Sequence, residues 1–209
     1  MNSKNALPML SKVIDLAVHA GEEILKIYSR ADHGVTTKLD NSPLTEADLR
    51  AHEVIEKGLL NLGVGPVVSE ESADLEALQH SALRSRYWLV DPLDGTREFV
   101  ARRDWFTVNI ALLELGRPIL GVVYAPAKDI LYFAQEGQGA FRKTDEDLAP
   151  VRIINSNDQR DLVAVASQAA HGPRFEKLCQ FLGIREVQRM GSAIKLCMVA
   201  DGSADVYPR

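Results

Sequence analysis

Leu10, Val13, Ile14, Ala17, Gly21, Ile24, Leu25 and Tyr28 recur at intervals of three and four, while Glu22, Glu23, Lys26 and Arg30 fall off that stripe. This is the pattern of an amphipathic helix, predicted over about residues 7–30 and ended by His33-Gly34. Residues 34–44 read as a short extended piece and then an Asn-Ser-Pro turn. Thr45-Glu46-Ala47-Asp48 has the form of a capping box, with Thr45 as N-cap and Asp48 reaching back. A second helix follows to about Leu62, with Leu49, Ile55, Leu59 and Leu62 predicted to face inward. Gly63 to Pro66 end it, and Pro66–Ser69 forms a short strand that stops at Glu70 and Glu71. Residues 73–86 predict a polar helical connection. Tyr87–Val90 is the next apolar strand; it stops at Asp91, and Gly95 or Thr96 opens a short helix through Arg102.

From Phe106 the period changes to that of strands: Phe106–Leu113, Ile119–Tyr124, Ile130–Ala134 and, after the glycines at 137 and 139, Ala140-Phe141-Arg142. Such a meander predicts an antiparallel sheet. Asp145-Glu146-Asp147 reads as a solvated loop. Strands and helices then alternate. The strands are Val151–Ile154, Leu162–Ala166, Glu186–Arg189 and Ala204–Tyr207. The helices are Pro173–Leu182, with Phe175, Leu178, Cys179 and Leu182 inward, and one opened by Gly191-Ser192 that runs to Val199. The change of pattern divides the chain into an N-terminal α+β part, 1–145, and a C-terminal α/β part, 146–209.

With 209 residues, 46% hydrophobic and 25% charged, the chain has the composition of a globular protein with a sizeable core. Its net charge of -5 and lack of a basic block argue against a nucleic-acid polymer as partner. Cys179 and Cys197 belong to no Cys/His cluster, which argues against zinc and suggests two buried thiols in a reducing compartment. Lys4, Pro8, Lys12 and Asp15 interrupt any signal-peptide core, and no apolar run approaches the ~20 residues of a membrane span. The expectation is a cytoplasmic protein.

The candidate chemistry lies where strands end in acids. If the strand ending at Glu70 lies beside the one ending at Asp91, Glu70, Asp91 and Asp94 come within reach of one another. Their repulsion is relieved by a hard divalent cation, and oxygen ligands suit Mg²⁺. Pro92 stiffens the turn so that both Asp91 and Asp94 can face the ion, with the Leu93 carbonyl between them. A helix starting at Gly95-Thr96 presents free N–H groups to a phosphate. The local reading is metal-assisted phosphate ester hydrolysis. The plain alternative is a structural Asp-Pro-Leu-Asp-Gly turn. On local sequence Asp48 is equally a helix cap, and Lys195 by spacing is a solvated helix residue.

Asp91-Pro-Leu-Asp-Gly-Thr96, with Ser69-Glu70-Glu71 upstream, resembles the signature of the inositol monophosphatase superfamily of Mg²⁺-dependent, lithium-sensitive phosphatases. Lys38–Thr45 with Asp48, Tyr87–Phe99, Phe106–Ala111, Gly121–Pro126, Gly191–Lys195 and Ala204–Arg209 resemble its CysQ-type 3'(2'),5'-bisphosphate nucleotidase branch. The resemblance implies an α/β layered sandwich (αβαβα) and two or three Mg²⁺ per site. Glu70, Asp91 and the Leu93 carbonyl would hold one ion, and Asp91 and Asp94 would share in a second. Thr96, bonded to Asp48, would with Glu70 orient and deprotonate the attacking water, and the N–H groups of Gly95 and Thr96 would cradle the scissile phosphate. Ser192, Lys195 and Arg209 would hold the nucleotide and its second phosphate. Ser167 and His171 are further nucleotide-side candidates, although relatives carry a Ser-x-Ser-His-type segment where this chain has Ser167-Gln-Ala-Ala-His171; a surface loop histidine is the alternative.

Relatives also continue past Tyr-Pro-Arg into a Trp-Asp-x-Ala segment whose Asp completes the metal site. This sequence stops at Arg209, so the resemblance implies a missing C-terminal part. The implied activity is hydrolysis of 3'-phosphoadenosine 5'-phosphate to AMP and phosphate in sulfur assimilation. Alternatives are an inositol or fructose-1,6-bisphosphate phosphatase on the same fold, or a non-catalytic nucleotide-binding form. The partner is thus a small bisphosphate nucleotide, with at most peripheral association at the cytoplasmic face of a membrane.

Overall fold

The computed structural model describes residues 6–30, 36–37, 43–72, 86–151 and 161–208. Two long helices, α1 (Ala6–Tyr28) and α2 (Glu46–Leu62), cover one face of a seven-stranded sheet. A two-stranded ribbon, β1 (Thr36–Thr37) with β2 (Pro43–Leu44), lies between them in sequence. The sheet runs β3 (Val67–Ser69), β4 (Arg86–Asp94), β5 (Thr107–Glu114), β6 (Arg117–Ala125), β7 (Ile130–Gln135), β8 (Gly139–Lys143) and β9 (Leu148–Pro150) in spatial as in chain order. β3 is parallel to β4; the other pairs are antiparallel, as the meander predicted. A short helix, α3 (Thr96–Val100), follows β4 directly. The chain then builds a second, parallel pair, β10 (Val163–Ala166) and β11 (Glu186–Arg189), joined through α4 (Pro173–Leu182) and followed by α5 (Ile194–Ala200). Among the described residues no helix is long and apolar enough to cross a membrane.

Strand alternation decides which face of the sheet holds what. Trp88, Val90, Ile110, Leu112, Leu120 and Val122 are buried beneath Val13, Ala17, Ile24, Ile55 and Leu59 of the two helices. The intervening residues, Leu89, Asp91, Asn109, Ala111, Gly121 and Val123, line a trough of about 430 Å³ on the opposite side. A second, smaller core lies on that side, where Ala125 and Tyr132 of the sheet pack with Val165, Met190, Ile194 and Ala204. The layers are therefore helices, sheet, helix and second sheet.

Several boundaries differ from the sequence pattern. β4 does not stop at Asp91; a bulge at Pro92-Leu93 carries it on to Asp94, which pairs with Thr107. Leu49 is 44% exposed, because counting back from Ile55 by threes and fours reaches Ala51, Asp48 and Ala47, which are buried instead. The last helix starts at Ile194, not at Gly191, since Ser192 has a φ of 54° that no α-helix continues through. The expected strand at Ala204–Tyr207 reduces to one bridge, Ala164 to Val206. β9 forms before the expected strand, and Ile154 lies outside the described residues, as does most of the helix expected over 73–86. α4 buries no residue fully, so its apolar stripe is only half covered. Both cysteines are free and half-buried, and burial pushes the Cys197 thiol up to about 12.

Ile55 is wholly buried between α2 and the sheet, so Ile55→Ala is expected to cost about 2–5 kcal/mol in urea unfolding. Leu49→Ala should change stability by less than about 0.5 kcal/mol. Equal costs at the two positions would show that the helix face has been assigned wrongly.

Candidate active site

The parallel pairing of β3 with β4 aligns Ser69 with Val90, and the Glu70 N–H donates to the Val90 carbonyl at 3.1 Å. Two chain segments that end in acids are thus locked in register, Glu70 beside the strand that delivers Asp91. Across β4, Asn109 of β5 lies opposite Asp91. The bulge inserts Pro92 and Leu93, which are buried, and brings Asp94 to the same end of the sheet as Asp91. Glu70, Asp91, Leu93, Asp94, Gly95 and Thr96 line a cleft of about 210 Å³.

The turn after β4 requires glycine at 95. Its φ of 95° suits glycine, and a Cβ would lie 3.1 Å from the Trp105 carbonyl oxygen. The five-residue helix that follows is anchored by Phe99, which is fully buried between Tyr28 and Phe106, its ring centroid 5.1 and 5.3 Å from theirs. Thr96 is held beside Asp48. Its Oγ1 lies 3.2 Å from Asp48 Oδ1 and 3.2 Å from the Leu93 carbonyl oxygen, two acceptors for one hydrogen. Asp48 Oδ2 accepts the Thr45 N–H at 2.7 Å and the Thr45 hydroxyl at 2.6 Å. The capping box is complete, and the same buried carboxylate reaches Thr96 with its other oxygen. The two readings of Asp48, cap and neighbour of Thr96, are therefore compatible.

Burial raises the Asp91 carboxyl to about 8, and the charges of Asp94 and Glu70 push the same way; a backbone hydrogen bond at Leu93 opposes them. Asp91 Oδ1 is buried with no hydrogen-bond partner. Asp94 is also raised, first by burial, against the Ala193 N–H, the Asn109 amide and the Lys195 charge. A buried acceptor without a donor, in an acid cluster whose members disfavour one another's ionised forms, fits a hard cation. Among the described residues, however, no three His, Cys, Asp or Glu side chains already stand in a metal-binding arrangement. The donor set fits the ion, but the cluster is open rather than closed around a point.

The segment between β11 and α5 meets this cleft at Asp94. Its Oδ2 accepts the Ala193 N–H at 2.5 Å and the Asn109 amide at 3.4 Å. Gly191 makes room for the approach: a Cβ there would fall 2.6 Å from the Trp105 carbonyl oxygen and 2.5 Å from Glu98 Cγ. Lys195 is not the solvated residue its spacing suggests. It is 4% exposed, donates to the Ser192 carbonyl at 2.7 Å and lies 5.3 Å from the Tyr207 ring centroid. Ser192, Lys195 and Asp94 thus come together. Ser167 and His171 line a different cavity of about 550 Å³, on the side of Tyr207, and Arg209 lies outside the described residues. Sequence reasoning missed Asn109 and the Ala193 N–H. The register of β5 against β4 identifies the first; the second is a backbone group and has no residue signature.

The inositol monophosphatase family matches residues 6–209. The 3'(2'),5'-bisphosphate nucleotidase CysQ of Escherichia coli O157:H7 is 44% identical over 204 residues, covering 96% of this chain and 80% of that protein. The protein of the same name from Buchnera aphidicola is 38% identical over 205 residues, covering 96% of this chain and 75% of its own length. Among solved structures, CysQ from Bacteroides thetaiotaomicron superposes with a TM-score of 0.79 at 38% identity, over 97% of this chain and 79% of that one. An IMPase from Thermotoga maritima gives 0.77 at 25% identity, over 96% and 75%. With an acid cleft at the end of β4 and relatives of this likeness, the chain belongs to the inositol monophosphatase family and to its CysQ-type, bisphosphate nucleotidase branch.

Proposed function

We propose that the chain is a Mg²⁺-dependent phosphatase that converts 3'-phosphoadenosine 5'-phosphate to AMP and phosphate. The observation that carries this reading is the buried, partnerless Oδ1 of Asp91 within a cluster of mutually destabilised carboxylates. Relatives that carry the nucleotidase name support the choice of substrate.

Glu70, Asp91, Asp94 and the Leu93 carbonyl would hold two or three Mg²⁺. When bound, Mg²⁺ supplies compensation of the carboxylate charge and polarisation of the phosphoryl oxygens and of water. Thr96 has one hydrogen and two acceptors at 3.2 Å. With the Leu93 carbonyl serving as a ligand, Asp48 would keep that hydrogen. The lone pairs of Thr96 Oγ1 would then face the cleft and accept a hydrogen bond from the attacking water. Asp48 is suited to hold this arrangement because its other oxygen is fixed by two bonds from Thr45. Glu70 lines the same cleft and is the base candidate beside Thr96. The N–H groups of Gly95 and Thr96 take the scissile phosphate. Lys195 and Ser192, brought to Asp94 by the Ala193 hydrogen bond, hold the substrate on the other side.

Purified protein is expected to release phosphate from 3'-phosphoadenosine 5'-phosphate with Mg²⁺, and to stop on addition of a chelator or Li⁺. No release at any Mg²⁺ concentration would sink the reading. Asp91→Asn should lower turnover by more than about a hundredfold, since even outer-shell partners of a metal act on a scale of 10–100-fold. Lys195→Met, which keeps the packing of the stem, should lower kcat/KM for the bisphosphate by about tenfold or more. An enzyme built for inositol monophosphate would prefer that substrate and scarcely respond to the change.

Without metal, the raised Asp91 makes a specific pH dependence. An acid whose folded value lies above its ordinary 3.8 favours folding in its protonated form, and that contribution is lost as pH rises through about 8. The melting temperature of the metal-free protein should therefore fall from about pH 5 to about pH 8. Asp91→Asn should flatten the slope, and Mg²⁺ should restore the wild type at the upper end. An unchanged slope in Asp91→Asn would assign the titration to other groups.

A further inference from the structure

Besides Asp48, α2 sends a second polar side chain toward the acid cleft. Asp48 and His52 are four residues apart on this helix, so they stand on one face, about 6 Å apart along its axis. Asp48 reaches Thr96. His52 reaches Ser69, the residue before Glu70: its Nδ1 lies 3.0 Å from Ser69 Oγ. The His52 side chain is 15% exposed, and Ser69 is fully buried.

Ser69 holds the turn that follows β3. Its Oγ accepts the Glu71 N–H at 3.3 Å, its N–H donates to Ser72 Oγ at 3.2 Å, and its carbonyl accepts the Ser72 N–H at 3.0 Å. Glu70 lies inside this turn and is exposed, so its carboxylate starts from wherever the backbone of the turn places it. The carboxylate of Glu56 lies 3.6 Å from His52 Nε2. A carboxylate only accepts, which favours the ring hydrogen on Nε2 and leaves Nδ1 an acceptor. The Ser69 hydroxyl then donates to His52 while its oxygen takes the Glu71 N–H, and a single rotamer of Ser69 serves both bonds. A Ser–His–Glu row also occurs around nucleophilic serines. Here the hydroxyl is buried away from any substrate, so the row holds the chain instead.

We propose that His52 is a positioning residue: through Ser69 it fixes the turn that carries Glu70, so that one face of α2 sets both Thr96 and Glu70 for the attacking water. The proposal rests on the nucleotidase reading and deepens it. Thr96 and Glu70 come from different segments, α3 and the end of β3, and the water needs both at once. A helix face is a rigid spacer between them. Its own start is locked by the capping box at Thr45, so Asp48 and His52 keep their places relative to each other.

Amide hydrogen exchange at Glu71 in the metal-free protein, and kcat and KM for the bisphosphate with Mg²⁺, should be compared for wild type, His52→Ala, His52→Asn, Ser69→Ala and the double alanine variant. His52→Ala should speed Glu71 exchange by about fivefold. It should lower kcat by about tenfold and leave KM within about twofold, because Lys195 and Ser192 still hold the nucleotide. His52→Asn, whose side-chain oxygen can take the Ser69 hydrogen, should recover most of both losses. Since His52 acts through Ser69, the double variant should lose no more than Ser69→Ala alone. Ser69→Ala barely changes the volume and tests the same bond if His52→Ala does not fold. Unchanged exchange or kcat in His52→Ala, an Asn variant as impaired as the Ala variant, or additive losses would each overturn the proposal. Exchange that follows the acceptor at position 52, with no phosphate release even from wild type, would sink the nucleotidase reading and leave the placement of Glu70 by His52 standing. Release by wild type with kcat unchanged in His52→Ala would do the reverse.

Discussion

Carboxylates of the same charge collect at the end of β4 because backbone pairing holds them there. The Glu70 N–H on the Val90 carbonyl, the register of Asp91 against Asn109 and the bulge before Asp94 are all main-chain constraints. None of them depends on the side chains attracting one another. The repulsion and the loss of solvation remain in the folded state, and they appear as the raised Asp91 and Asp94 carboxyls. The large core between the two helices and the sheet supplies the opposing stability. It is built from strand residues of the opposite parity, so a single alternation produces both the packing and the acid cleft.

Asp94 then connects the seven-stranded sheet to the segment between β11 and α5. One oxygen takes the Ala193 N–H from that segment and the Asn109 amide from the sheet. Through that contact Ser192 and Lys195 stand at the cleft although they follow it by about a hundred residues. Gly191 and Gly95 both meet the Trp105 carbonyl, so the loop before α5 and the turn after β4 are packed against the same peptide group. The aromatic cluster of Tyr28, Phe99 and Phe106 fixes that turn from beneath. The cleft is therefore assembled by this long-range contact as much as by the motif itself.

Much of this was legible in the residues. The helix over Ala6–Tyr28, the capping box at Thr45, the meander and the acid pair around Pro92 each have a local signature in spacing or turn chemistry. Legibility failed where two patterns competed or where a partner was distant. Leu49 is apolar but lies off the face set by Ala47, Ala51 and Ile55, and only packing against the sheet decides between such faces. Lys195 follows helix spacing that suggests solvent, yet the Tyr207 ring and the Ser192 carbonyl enclose it.

From its sequence alone this chain determined the two long helices and the strand meander, the acids that end two of its strands and, by resemblance, the family to which it belongs. These follow from short-range rules: period, capping and turn geometry act over a few residues. Only the tertiary structure decided that Asp91 keeps a buried oxygen without a donor, that Asp94 is bonded to the distant backbone amide of Ala193, and that Lys195 is buried. Those are matters of desolvation and long-range contact, and they depend on which surfaces meet after the elements have formed.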